Sequence, residues 1–188
     1  MFGSHFGHFL DKPLSSFARK VPLSPNAITC TGFLIMVIAA MTLTHNLFWG
    51  GILIILGGLC DMLDGMVARA NNTSTPFGAF LDSVLDRYAD AFLFLGCAWH
   101  FFQINSVTGV ALSLVTLTGA LLISYVRARA EGLGKDCNIG IMERPERIVL
   151  MAFGALTGWM LYVMWAMLVL THVTVIQRIH HVWKIMKQ

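Results

Sequence analysis

Two long stretches of the chain carry no charged side chain, one from Ala27 to Cys60 and one from Ala91 to Val126. A helix crosses the hydrocarbon core of a bilayer with about 20 residues, so each run is too long for one crossing and right for two. Polar residues mark the divisions, at His45 and Asn46 in the first run and from Gln103 to Ser106 in the second. The remaining region, Met142 to Gln188, would extend about 70 Å as one helix, more than twice a bilayer core. It must double back, and Gly154 and Gly158 mark the turning region. The pattern predicts an all-α integral membrane protein with six transmembrane helices in one domain, residues 24–188. Ahead of it, Phe2, Phe6, Phe9, Leu10, Leu14, Phe17 and Val21 recur on a roughly helical period between Asp11, Lys12, Arg19 and Lys20. Residues 1–23 are therefore expected to form a juxtamembrane amphipathic helix lying along the membrane surface. No basic start leads into a compact apolar core, which argues against a cleaved signal peptide.

Composition agrees with that pattern: 56% of the 188 residues are hydrophobic and 12% charged, with a mean hydropathy of +0.70. Six spans put all 13 Lys and Arg on one side, while the opposite loops, around His45, Gln103 and Gly158, carry none. The positive-inside rule then makes both termini cytoplasmic, in a multi-pass protein of the inner cell membrane. The basic excess reads as this membrane rim rather than as a nucleic-acid surface. Cys30, Cys60, Cys97 and Cys137 have no regular spacing, so neither a disulfide framework nor a zinc site is indicated.

Against this apolar background, Asp61, Asp64, Asp82 and Asp86 stand out. Carboxylates in such surroundings are costly unless a cation meets them, and a divalent metal site is the simplest solution. Asp61 and Asp64 are three apart and Asp82 and Asp86 four apart, so each pair shares one helix face. Residues Ala70 to Thr75 form a polar turn, and Thr75-Pro76 reads as an N-cap with proline at the first helical position. Counting back from the turn in an antiparallel pair, Asp64 comes level with Asp82 and Asp61 with Asp86, so all four converge. Gly65 and Gly78 fall near the same faces, where a missing side chain admits a ligand or backbone. Arg69 lies one turn beyond Asp64, placed for a phosphate oxygen. A solvated salt-bridge face would interleave Lys or Arg, and only Arg87 is close.

These residues carry a resemblance. The pattern D-x2-D-G-x2-A-R-x8-G-x3-D-x3-D is matched by Asp61, Asp64, Gly65, Ala68, Arg69, Gly78, Asp82 and Asp86. It resembles the signature of the CDP-alcohol phosphotransferases, integral membrane enzymes of phospholipid synthesis. The resemblance implies two Mg²⁺ or Mn²⁺ ions held by Asp61, Asp64, Asp82 and Asp86, with Asp86 also taking the proton from the attacking hydroxyl. It implies a CDP-linked lipid such as CDP-diacylglycerol touching Ser24, Pro25, Asn26, Ala27, Gly65, Arg69 and Thr75, and a homodimer. Three further segments, Ser124 to Glu131, Glu143 to Arg147 and Gln177 to Trp183, are similar to those of bacterial phosphatidylinositol-phosphate synthases. In that branch a basic triad binds the phosphate of the acceptor, and its positions fall on Arg127, Arg147 and Arg178. Where relatives more often have lysine, this chain has Arg127, which still binds phosphate but with a fork geometry.

Two other functions fit part of the pattern. Glycerol 3-phosphate as acceptor would make the chain a phosphatidylglycerophosphate synthase, and the basic pocket accommodates either phosphate. A cation transporter also places carboxylates in a membrane, but its acids must reach the far side, whereas here all lie in the cytoplasmic half. Asp90 continues the Asp82 and Asp86 face outside the signature and reads as a partner of Arg87 or a support to the site.

Overall fold

The apolar runs become six helices: α1 (Pro25–His45), α2 (Leu47–Ala70), α3 (Pro76–Gln103), α4 (Val107–Glu131), α5 (Arg144–Thr157) and α6 (Met160–Met186). This computed structural model describes residues 24–187, and no strand occurs among them. The amphipathic helix expected over residues 1–23 lies outside the described residues.

Local chemistry sets the boundaries. Ser24 caps α1, its hydroxyl accepting the Ala27 N–H at 3.3 Å, and Pro25 opens the first turn, where its missing N–H costs nothing. Asn46 serves two helices: its N–H donates to the Thr42 carbonyl at 2.8 Å and its Oδ1 accepts the Trp49 N–H at 3.1 Å. One residue thereby ends α1 and starts α2. As expected, Thr75 caps α3, with Oγ1 accepting the Gly78 N–H at 3.0 Å. Gly158 stands at φ 74° between α5 and α6, a left-handed conformation that favours glycine. Gly154, the other residue of the expected turning region, is instead inside α5, where a Cβ would come 3.0 Å from Val163 of α6. It serves close packing next to the turn rather than the turn itself.

The principal contacts close a ring in the order α1, α2, α5, α6, α4, α3 and back to α1. Its centre is filled by Met36, Leu43, Ile54, Phe94, Met151, Met164 and Met167, all buried. The outer face is apolar too, with Ile38, Phe92, Leu121, Val149 and Ile176 exposed. A bundle apolar inside and out is built for lipid. Four helices, α1, α2, α4 and α6, are long and apolar enough to cross a membrane. Helix α3 has the length, 28 residues, but carries Asp82, Asp86, Arg87 and Asp90 within its first fifteen. Helix α5 has 14 residues. Exposed Trp49, Trp99, Trp159 and Tyr162 lie near the helix ends remote from the aspartates, as amphipathic rings do at a membrane interface.

Candidate metal centre and flanking pockets

Helices α2 and α3 both pack on α1, and the turn at residues 71–75 joins them. This brings the late part of α2 beside the early part of α3, and one carboxylate oxygen each from Asp61, Asp64 and Asp82 falls within 4.8 Å of the others. Asp64 is buried, and Asp64 Oδ2 and Asp82 Oδ1 have no hydrogen-bond partner in the protein. Buried carboxylate oxygens without donors are expensive. With Asp61 beside these two, three carboxylates converge as a hard, all-oxygen set that fits Mg²⁺ or Mn²⁺.

Asp86 joins the group by a different route. Arg144, at the start of α5, sends Nη1 to Asp61 Oδ1 at 2.5 Å and to Asp86 Oδ1 at 2.9 Å. Arg87 adds a longer contact to Asp86 at 3.7 Å and donates to the Ser83 carbonyl at 2.6 Å. Residue spacing predicts four converging carboxylates; the structure adds a guanidinium between two of them, Asp61 and Asp86. The local signal is Arg144-Pro145, because proline at the helix start fixes Arg144 at the positive end of the helix dipole. A cation there is disfavoured unless acids come from elsewhere.

The cluster stands between two cavities. One, of about 190 Å³, is lined by Asp64 and Asp82 together with Pro25, Asn26, Gly65, Arg69, Thr75 and Gly78. Gly65 leaves room for the Arg69 side chain, since a Cβ would lie 3.2 Å from Arg69 Nη1; at Gly78 a Cβ would crowd Asn26 Oδ1 and Thr75 Oγ1 at 3.0 Å. Of the residues expected near a CDP group, five line this cavity. Ser24 and Ala27 do not; they cap and begin α1 just behind it.

The other cavity, of about 340 Å³, is lined by Asp86 and Asp90 and by Arg87, Arg127, Arg144, Arg147 and Arg178. All three arginines of the expected triad are therefore brought together, from α4, α5 and α6. Their surroundings differ. Arg178 is buried and donates from Nε to the Ile139 carbonyl and from Nη1 to the Ile123 carbonyl, both at 2.7 Å, with Glu143 at 3.7 Å. Arg127 is half exposed at the mouth and meets Glu131 of its own helix at 2.8 Å. Arg147 is buried against Asp90, Nη2 to Oδ2 at 2.5 Å. Asp90 is thus not the partner of Arg87; its ion pair crosses from α3 to α5, with Arg144 Nε at 3.9 Å from its other oxygen.

Comparison with known proteins agrees with this geometry. The CDP-alcohol phosphatidyltransferase family pattern matches residues 22–177. The chain is 39% identical over 183 residues to a phosphatidylinositol phosphate synthase of Mycobacteroides abscessus, covering 92% of this chain and 83% of that one. It is also 39% identical over 181 residues to an archaetidylinositol phosphate synthase of Methanothermobacter thermautotrophicus, covering 93% and 90%. The crystal structure of Mycobacterium tuberculosis phosphatidylinositol phosphate synthase with CDP-DAG bound superposes with a TM-score of 0.82 at 34% identity, over 92% of this chain and 93% of that one. A second structure of that protein, in complex with manganese and citrate, gives 0.81 at 33% identity, over 92% and 88%. An eight-position aspartate signature on two helices flanking α1, within a matched region running from residue 22 to 177, means that this chain belongs to the CDP-alcohol phosphatidyltransferase family.

Proposed function

We propose that the chain transfers a phosphatidyl group from CDP-diacylglycerol to a hydroxyl of inositol phosphate, giving phosphatidylinositol phosphate and CMP. The observation that carries this reading is the aspartate cluster standing between a small cavity with Arg69 and a larger one with five arginines. Two relatives named for different lipids both have inositol phosphate in their names, which favours that acceptor.

Asp61, Asp64, Asp82 and Asp86 would hold two Mg²⁺ or Mn²⁺ ions, which supply Lewis-acid polarisation of the diphosphate and offset charge on the departing CMP. Arg69 adds a guanidinium beside the diphosphate, in the cavity where Ser24, Pro25, Asn26, Ala27, Gly65 and Thr75 form or back the wall. Arg127, Arg147 and Arg178 hold the phosphate of the acceptor and so orient its hydroxyl. Asp86 lines the acceptor cavity and takes the hydroxyl proton as the oxygen attacks the phosphorus that bears the lipid. The bond from that phosphorus to CMP breaks, and a phosphodiester remains. Acyl chains stay in the bilayer beside the apolar outer face.

The same reading takes residues 24–188 as one six-span domain preceded by a surface helix over residues 1–23. It places the site and both termini on the cytoplasmic side of the inner membrane, because Lys and Arg gather at the aspartate end. A homodimer belongs to it on family resemblance, and native mass spectrometry from detergent would test that.

The deciding assay follows CMP release from purified protein given CDP-diacylglycerol, Mg²⁺ or Mn²⁺, and either inositol phosphate or glycerol 3-phosphate. Turnover with inositol phosphate is expected. Turnover with glycerol 3-phosphate alone would make this a phosphatidylglycerophosphate synthase, and no turnover with either would end the reading. Asp86→Asn is expected to lower kcat by about 10²- to 10⁴-fold, the usual worth of a general base.

A further inference from the structure

We propose that Asp90 is a positioning residue for the acceptor, fixing the Arg147 guanidinium in the wall of the larger cavity; this rests on reading that cavity as the acceptor pocket. Asp90 is 4% exposed and Arg147 3%, and both line the cavity. Their ion pair joins α3 to α5, one turn beyond Asp86. A guanidinium has five N–H donors in a rigid fork, so what grips one edge decides where the others point.

The three triad arginines differ in what grips them. Two backbone carbonyls at 2.7 Å hold Arg178, with the Glu143 carboxylate farther off at 3.7 Å. Arg127 turns with Glu131 on the surface of a single helix. Arg147 has one short contact, Asp90 at 2.5 Å, and one long one, from Nη1 to the Met142 carbonyl at 3.4 Å. Its Nε is buried without a partner. Among the described residues Asp90 is therefore the side chain whose hydrogen bond sets the direction of Arg147 while leaving donors for an incoming anion. It also lies 3.9 Å from Arg144 Nε, whose Nη1 reaches Asp61 and Asp86. One carboxylate thus stands between the arginine facing the acceptor and the arginine facing the acids.

The test compares Asp90→Asn, Asp90→Glu, Arg147→Gln and the double variant Asp90→Asn/Arg147→Gln, with KM measured separately for inositol phosphate and CDP-diacylglycerol. Asp90→Asn is expected to raise the acceptor KM by about tenfold or more, the worth of one charge-assisted hydrogen bond. Donor KM and the Mn²⁺ binding midpoint, read by paramagnetic resonance, should change several-fold less than the acceptor KM, because Asp90 reaches the metal-side acids only through Arg144 at 3.9 Å. Asp90→Glu should fall between wild type and Asp90→Asn, and the double variant should be no worse for the acceptor than Arg147→Gln alone. An unchanged acceptor KM, a parallel rise in both KM values with a lowered Tm, or additive single effects would overturn the proposal. If Asp90→Asn does not fold, the double variant, which buries no lone charge, and Asp90→Glu decide by the same criteria. Binding of inorganic phosphate by calorimetry, weakened in Asp90→Asn, needs no turnover. If only glycerol 3-phosphate supports turnover, the acceptor reading fails while Asp90 is judged on the KM for that acceptor.

Discussion

The two cavities flanking the aspartates are opposite in kind. On the smaller side, one buried oxygen each of Asp64 (Oδ2) and Asp82 (Oδ1) has no donor among the described residues. On the larger side, each acid in the wall faces a guanidinium: Asp86 meets Arg144, Asp90 meets Arg147, Glu131 meets Arg127 and Glu143 approaches Arg178. One wall leaves carboxylate oxygens without a donor; the other pairs its acids with arginines. Acids stand on both sides, and what differs is whether arginines from α4, α5 and α6 reach them.

The hardest test of this contrast is on the cation side. Asp64→Asn, or chelation of the wild type, should lower turnover by roughly a thousandfold or more, since a bound ion supplies several kcal/mol to such a transition state. Calorimetric Mn²⁺ binding should be lost with it, while phosphate binding in the larger cavity should persist. Loss of both together would mean that the two sites are one. A smaller effect is expected on the anion side. Arg178→Lys cannot keep both carbonyl contacts, and each hydrogen bond from a charged group is worth about 1.5 to 3 kcal/mol. A lowered Tm and a raised acceptor KM, with Mn²⁺ binding retained, is the expected pattern. The smallest effect concerns Thr75, which both caps α3 and lines the smaller cavity. Thr75→Ala should cost about 1 kcal/mol of stability, and Thr75→Ser should restore it. Unfolding midpoints of the two variants, compared with their KM values for the CDP-lipid, separate the cap from the contact.

Much of this arrangement was legible in the sequence because it is local. Charge-free runs define the helices, Asn46 and Thr75 are recognisable caps, and a three-and-four spacing fixes which faces Asp61, Asp64, Asp82 and Asp86 share. What escaped is decided by distant contacts. Arg87 is the near neighbour of Asp90 in sequence, yet the partner is Arg147 from another helix. Gly154 and Gly158 look alike in the sequence; only the packing of Val163 on the first and the left-handed backbone of the second tell a helix interior from a turn. Arg144 reads in the sequence as one arginine among several at the span ends; only the packing of α5 puts it between Asp61 and Asp86.

The ring of helices does not follow chain order: α2 rests on α5, and α4 on α6. A ribosome therefore releases Asp61, Asp64, Asp82, Asp86 and Asp90 well before the guanidiniums of Arg144 and Arg147 that will face them. Among the ring's contacts, those of α1 to α4 alone leave α2 and α4 as open ends, and the acids without these arginines. The late arrival of α5 brings Arg144 and Arg147 to those acids, and α6, resting on both α5 and α4, closes the ring.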